Sequence, residues 1–166
     1  MTTQTFLDRL RSQRSYRNQI VHVQHLPARE ARYGRLDAPL PAPLVQALAR
    51  RGIRDLYTHQ AQAINAVRRG ENVVVSTSTA SGKTLCYNLP VLDGILKDRR
   101  TRALYIFPTK ALAQDQLRSL RELSEESLPL LRYDTFDGDT PQARRSKIKK
   151  EAQIILTTPD MLSMGI

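Results

Sequence analysis

Cysteine occurs once in this chain of 166 residues, at Cys86. A single thiol excludes an internal disulfide and any cysteine-based zinc cluster, and it fits a reducing compartment. No apolar run approaches the length needed to cross a bilayer, so no membrane partner is expected. The first residues, with Asp8 and scattered arginines, lack the pattern of a signal peptide. Repeats and low-complexity tracts are missing too. Acidic residues are scarce in one part of the chain. Residues 1–70 hold 12 arginines and no lysine against 4 Asp and Glu, whereas residues 71–166 hold 14 Arg and Lys against 12. The formal net charge of +10, with a pI near 10.3, favours a polyanionic partner, although a solvated basic surface would carry the same charge. Arginine pairs with phosphate in a fork geometry. The length suits one domain with a real core.

What is present centres on residues 73–84, Val-Val-Val-Ser-Thr-Ser-Thr-Ala-Ser-Gly-Lys-Thr. Three valines after Gly70-Glu71-Asn72 predict a strand buried on both faces, of the kind parallel sheets use. The small and hydroxylated residues that follow let backbone N–H groups close around an anion. Leu85, Leu89, Leu92, Ile95 and Leu96 then space as a helix, whose N-terminus directs its dipole at that anion. Strand, loop and helix start form the P-loop arrangement, with Lys83 for the β/γ-phosphates and Thr84 for Mg²⁺. Thr77 stands where the usual pattern has its first glycine, and a plain strand–helix junction would also contain these residue types.

The rest of the chain reads as alternating elements. Residues 3–24 are predicted helical, with His22 and His25 as surface residues. The proline-rich stretch from Pro27 to Pro43 predicts an extended connector. Pro43 to Arg51 predicts a short helix closed by Gly52, and Thr58 is expected to cap the next, which runs to Arg69 and stops at Gly70. Gln60, in its first turn, is a candidate for reading adenine through N6 and N7. Three further strands are expected at Ala103–Phe107, Leu131–Phe136 and Ile154–Leu156. A helix from about Lys110 to Glu126 separates the first two, and a basic helix, Pro141–Glu151, the last two. The five cations of that basic helix, Arg144, Arg145, Lys147, Lys149 and Lys150, spread around its axis, so a solvated face and a peripheral contact to a polyanion both fit them. Alternating strands and helices predict four parallel strands with helices on both faces, joined by right-handed crossovers. Ligands in such sheets gather beyond the carboxyl ends of the strands.

The motifs resemble those of superfamily-two helicases of the DEAD/DEAH-box type. Gly52–Gln60 is similar to their Q-motif, Thr77–Thr84 to motif I, Pro108–Gln116 to motif Ia, Asp137-Gly138-Asp139 to their strand-contacting turn, and Thr157–Leu162 to motif Ib. Leu56-Tyr57, His59-Gln60, residues 79–90 and Tyr133–Thr140 narrow the resemblance to the MrfA/YprA group, which is similar to yeast RecQ-like helicases. The resemblance implies an ATP-dependent DNA helicase linked to repair, with a RecA-like ATP-binding domain. It divides the chain into an arginine-rich leading segment, 1–42, and the first part of that domain, 43–166. It also implies ATP and Mg²⁺ as ligands, single-stranded or forked DNA as partner, and a cytosolic or nucleoid location in a bacterium or archaeon.

Carried over residue by residue, the resemblance assigns the nucleotide to Tyr57, Gln60, Thr79, Ala80, Ser81, Gly82, Lys83, Thr84 and Leu85, with Thr84 on the metal. Nucleic acid falls to Pro108, Thr109, Lys110, Gly138, Asp139, Thr158, Pro159 and Asp160, through phosphate contacts that carry no base code. Pro43 replaces the isolated aromatic that DEAD-box proteins carry ahead of the Q-motif, which leaves Tyr57 as the stacking candidate. No Asp-Glu-x-Asp or Asp-Glu-x-His occurs in the chain. An N-terminal fragment of a larger motor is therefore expected, inactive by itself. Two other readings share some of these features. A different P-loop enzyme, such as a small-molecule kinase, would use the same cradle, and a non-catalytic basic module would use the same charge.

Overall fold

The computed structural model describes residues 1–28 and 30–163. Arg29, in the expected connector, and the last three residues of the expected domain lie outside the described residues. Two units are present, Met1–Ala31 and Arg32–Ile166.

The first unit holds one helix, α1 (Thr3–Arg11), capped by the Thr2 hydroxyl, which accepts from the Thr5 N–H. The expected helix to residue 24 stops here. None of its residues is buried, so no packing energy extends it, and the Ser12 hydroxyl turns back on the Arg9 carbonyl. Asn18 then takes a left-handed φ of 58°.

The second unit is an α/β layer structure. Its elements are β1 (Tyr33–Gly34), α2 (Ala42–Arg50), β2 (Leu56–Tyr57), α3 (Thr58–Arg68), α4 (Thr84–Lys97), β3 (Ala103–Ile106), α5 (Lys110–Ser124), β4 (Tyr133–Phe136), α6 (Gln142–Glu151), β5 (Ile154–Thr157) and α7 (Pro159–Ser163). β1 and β2 form a short antiparallel pair, while β3, β5 and β4 form a parallel sheet in that order. Ile106, Thr157 and Phe136 are aligned in register, so the three parallel strands end side by side.

β5 shows why helices cover both faces. Its alternate residues Ile154 and Leu156 enter the larger core with Leu44, Ile64, Leu89, Leu92 and Leu120 from α2 to α5. Ile155, on the opposite face, packs with Phe136, Ile148 of α6 and Met161 of α7. On the first face, Arg68 and Lys97 flank the buried Asp93 of α4, at 2.9 and 3.0 Å, which ties α3 to α4.

Two further expectations differ from the structure. Thr58 is the first helical residue rather than the cap: Tyr57 holds the cap position, and the Gln60 side chain reaches back to the Tyr57 N–H at 2.9 Å. The fourth parallel strand, at Val73–Val75, is not formed. That stretch is extended but joins none of the ladders among the described residues, and Val74 is 95 % exposed. A strand needs a neighbour to satisfy its backbone groups, and both described partners of β5 are already other strands. Val73 and Val75 instead border a hollow of about 640 Å³ with Ala63, Val67, Tyr87 and Phe107.

Candidate nucleotide and nucleic-acid site

Residues 77–83 form a compact loop folded around its own lysine. Lys83 Nζ donates to the carbonyls of Thr77 at 2.9 Å and Ser78 at 2.6 Å, and the Thr77 and Ser81 hydroxyls lie 2.6 Å apart. The loop closes through two left-handed residues, Ala80 at φ 58° and Gly82 at φ 77°. No side chain caps the start of α4; the Leu85 and Cys86 N–H groups donate back to the Gly82 and Lys83 carbonyls at 3.2 and 2.9 Å, and the positive end of the helix dipole faces the loop. Thr79 and Ala80 are exposed, Ser81, Lys83 and Thr84 half-buried, and Leu85 is buried in the core.

Gln60 is 2 % exposed and holds the loop from behind. Its Nε2 donates to the Gly82 carbonyl at 2.9 Å, while its Oε1 takes the Tyr57 N–H. An amide has two protons and two lone pairs, so one of each is left unused by these two bonds. Tyr57 stacks near-parallel with Tyr33, at 5.7 Å between ring centroids, and with His59, at 5.9 Å. His59 Nε2 in turn lies 3.0 Å from the Ser81 carbonyl. Tyr33 and His59 are site neighbours that residue spacing does not disclose. His59 sits beside Gln60 in a helix's first turn, and only folding brings it to a loop 22 residues away.

The second set of residues lies where the strands end. The turns that follow β3, β4 and β5 begin in register, which gathers Pro108, Thr109, Lys110, Gly138, Asp139, Pro159 and Asp160 on one exposed edge. Thr158 belongs to the same edge but is 6 % exposed. Thr109 caps α5, its hydroxyl accepting the Leu112 N–H at 3.2 Å. Lys110 Nζ lies 2.9 Å from Asp139 Oδ2, and that hydrogen bond holds the lysine's pKa above its ordinary value. The turn before α6 is braced by the Thr140 hydroxyl, which accepts the Asp137 N–H at 2.9 Å. A hydrogen-bond bridge joins the two sets. Gln116 Oε1, on α5, accepts from the Tyr87 hydroxyl at 2.7 Å and from the Thr84 hydroxyl at 3.5 Å.

The basic helix is largely engaged within the fold. Arg144 pairs with Asp134 at 2.7 Å, and Arg145 donates to the Thr140 carbonyl at 3.0 Å. Arg145 and Lys149 also lie over the Phe136 ring, each 5.5 Å from its centroid.

A glycine–lysine–threonine loop that opens a helix, beside a parallel sheet whose polar turns gather at one end, defines the P-loop class of α/β proteins. Within that class the chain belongs to the DEAD/DEAH box helicases, whose family model matches residues 57–166. It is 47 % identical over 147 residues to the uncharacterized ATP-dependent helicase YprA of Bacillus subtilis (strain 168), a match covering 89 % of this chain and 20 % of that protein. It is also 47 % identical over 165 residues to the ATP-dependent helicase hrq1 of Schizosaccharomyces pombe, covering 96 % of this chain and 16 % of that one. The fold superimposes on the crystal structure of the DUF1998 helicase MrfA bound to DNA and AMPPNP with a TM-score of 0.79 and 49 % identity. That superposition covers 83 % of this chain and 19 % of the MrfA chain. The chain thus spans about a fifth or less of the length of these relatives.

Proposed function

We propose that this chain supplies the nucleotide-gripping and strand-contacting first part of an ATP-dependent DNA helicase. The observation that carries the reading is the register of the parallel sheet. It places three polar turns on one edge, and the Thr84–Gln116–Tyr87 contacts link that edge to the phosphate loop. A small-molecule kinase has no use for such an edge.

In this reading Lys83 leaves the loop carbonyls for the β/γ-phosphates, and the dipole of α4 faces them. Phosphoryl transfer asks the protein mainly for position and charge neutralisation. Among the described residues no group of three His, Cys, Asp or Glu side chains could hold a metal ion. Thr84 offers one hydroxyl oxygen, which fits Mg²⁺ because that ion keeps several waters and arrives on nucleotide phosphates. Bound there, Mg²⁺ would neutralise charge on those phosphates. Gln60 presents its remaining proton and lone pair to adenine, while Thr109, Lys110 and the Gly138 turn hold phosphates of a single or forked DNA strand without reading its bases. The DNA partner is supported by the likeness to MrfA, whose crystal structure contains DNA and AMPPNP. A role in DNA repair, in the cytosol or nucleoid, rests on the resemblance to the MrfA/YprA group.

The test is ATP hydrolysis by the full-length protein with and without single-stranded DNA. Hydrolysis stimulated by DNA, with a stimulation that weakens as salt rises, is the expected result. ATP turnover indifferent to DNA, with the γ-phosphoryl group ending on a small acceptor rather than on water, would establish the kinase reading instead.

A further inference from the structure

Gln116 sits half-buried on α5, about 9 Å along the helix axis from Lys110 at its exposed start. Its carbonyl oxygen receives two hydroxyls from α4, Tyr87 at 2.7 Å and Thr84 at 3.5 Å. Neither the phosphate-loop chemistry nor the strand edge explains why a helix that faces nucleic acid should hold the threonine of the nucleotide loop. The Tyr87 ring is fixed by the sheet. It meets Tyr105 of β3 edge-on at 5.1 Å, and Tyr105 meets Phe107 edge-on at 6.4 Å. The Tyr87 phenolic hydroxyl is the proton donor in the 2.7 Å bond to Gln116. Tyr87 therefore sets where the Gln116 oxygen points, and that oxygen sets where the Thr84 proton points. A threonine that gives a lone pair to a ligand still has this proton to place, so the state of Thr84 is felt at Gln116.

Resting on the helicase reading, we propose that Gln116, oriented by Tyr87, is a positioning residue through which nucleotide at the loop and nucleic acid at the start of α5 alter each other's affinity. The bond from Thr84 is long and the bond from Tyr87 short. The pair has two arrangements: one in which the Thr84 proton serves Gln116, and one in which it turns to an oxygen of the bound nucleotide. α5 is the rigid element between that choice and Thr109, Lys110 and, through the ion pair, Asp139. Each ligand biases the choice, and such coupling is reciprocal.

The experiment measures the affinity of the full-length protein for a fluorescent non-hydrolysable ATP analogue, with and without saturating oligo-dT, and then the affinity for labelled oligo-dT with and without the analogue. The two ratios give one coupling factor. Tyr87→Phe keeps the packed ring and deletes the hydroxyl, and Gln116→Leu keeps the bulk and deletes the acceptor. Each is expected to bring the factor about two- to tenfold closer to one, the range of a single neutral hydrogen bond. A role confined to packing would lower the melting temperature and leave the factor alone. Wild-type factors in both variants overturn the inference, and so does a wild-type protein that binds both ligands with no mutual effect. If Gln116→Leu fails to fold, Tyr87→Phe decides alone. Failure of the wild type to bind the analogue at all would overturn the helicase reading along with this one.

Discussion

Gly82 carries two constraints that no other residue type meets. Its φ of +77° is strained for an L side chain, and a Cβ there would stand 2.5 Å from Gln60 Nε2, the atom that holds the loop. Gly82→Ala is expected to cost about 1–3 kcal/mol through backbone strain alone and to push Gln60 off the loop. The thermal transition of the domain should fall and nucleotide binding should weaken with it; an unchanged transition would contradict the geometry. At this scale the loop geometry of the candidate site was legible in the sequence. Gly82, Lys83 and Thr84 disclose themselves because their chemistry is local, a tight turn followed by a helix start. Tyr33, His59 and Gln116 did not, because each reaches the site only through tertiary contact, as with the 32 residues that separate Thr84 from Gln116.

Among the elements, the helices α2 to α6 follow the sequence closely because prolines, glycines and apolar periodicity mark their ends. The valine run did not follow it. Strand identity belongs to a pair of segments rather than to one, and Val73–Val75 finds no partner among the described residues. The contact between α3 and α4 supplies a sharper test. Asp93 is 2 % exposed and bound by Arg68, whose side chain is 15 % exposed, and by Lys97, whose side chain is 66 % exposed. Removing the buried partner strands a charge, whereas removing the exposed one changes little. Arg68→Ala should destabilise by about 3 kcal/mol, the low end for a broken buried pair because Lys97 remains. Lys97→Ala should cost about 0–1 kcal/mol, as exposed pairs do. Comparable losses from the two variants in denaturant titrations would contradict this assignment.

For the whole molecule, the parallel sheet ends at β3, whose outer edge is unpaired among the described residues and whose Leu104 and Ile106 are exposed. The uncovered valines add a second apolar surface. Open edges and contiguous apolar surface promote association. The isolated 166-residue polypeptide should therefore self-associate in light scattering after size exclusion, and a monodisperse monomer at tens of micromolar would contradict that expectation. The family's fold is recognisable here from one sheet, one loop and one edge, although the chain spans about a fifth or less of its relatives.

All of this depends on the loop at residues 77–84 being a phosphate cradle that Lys83 completes. Equilibrium binding of a fluorescent ATP analogue to the full-length protein and to its Lys83→Ala variant tests that most directly. Loss of a charge-assisted contact worth about 1.5–3 kcal/mol should weaken binding roughly 10- to 150-fold. Equal affinity in the two proteins would contradict the account.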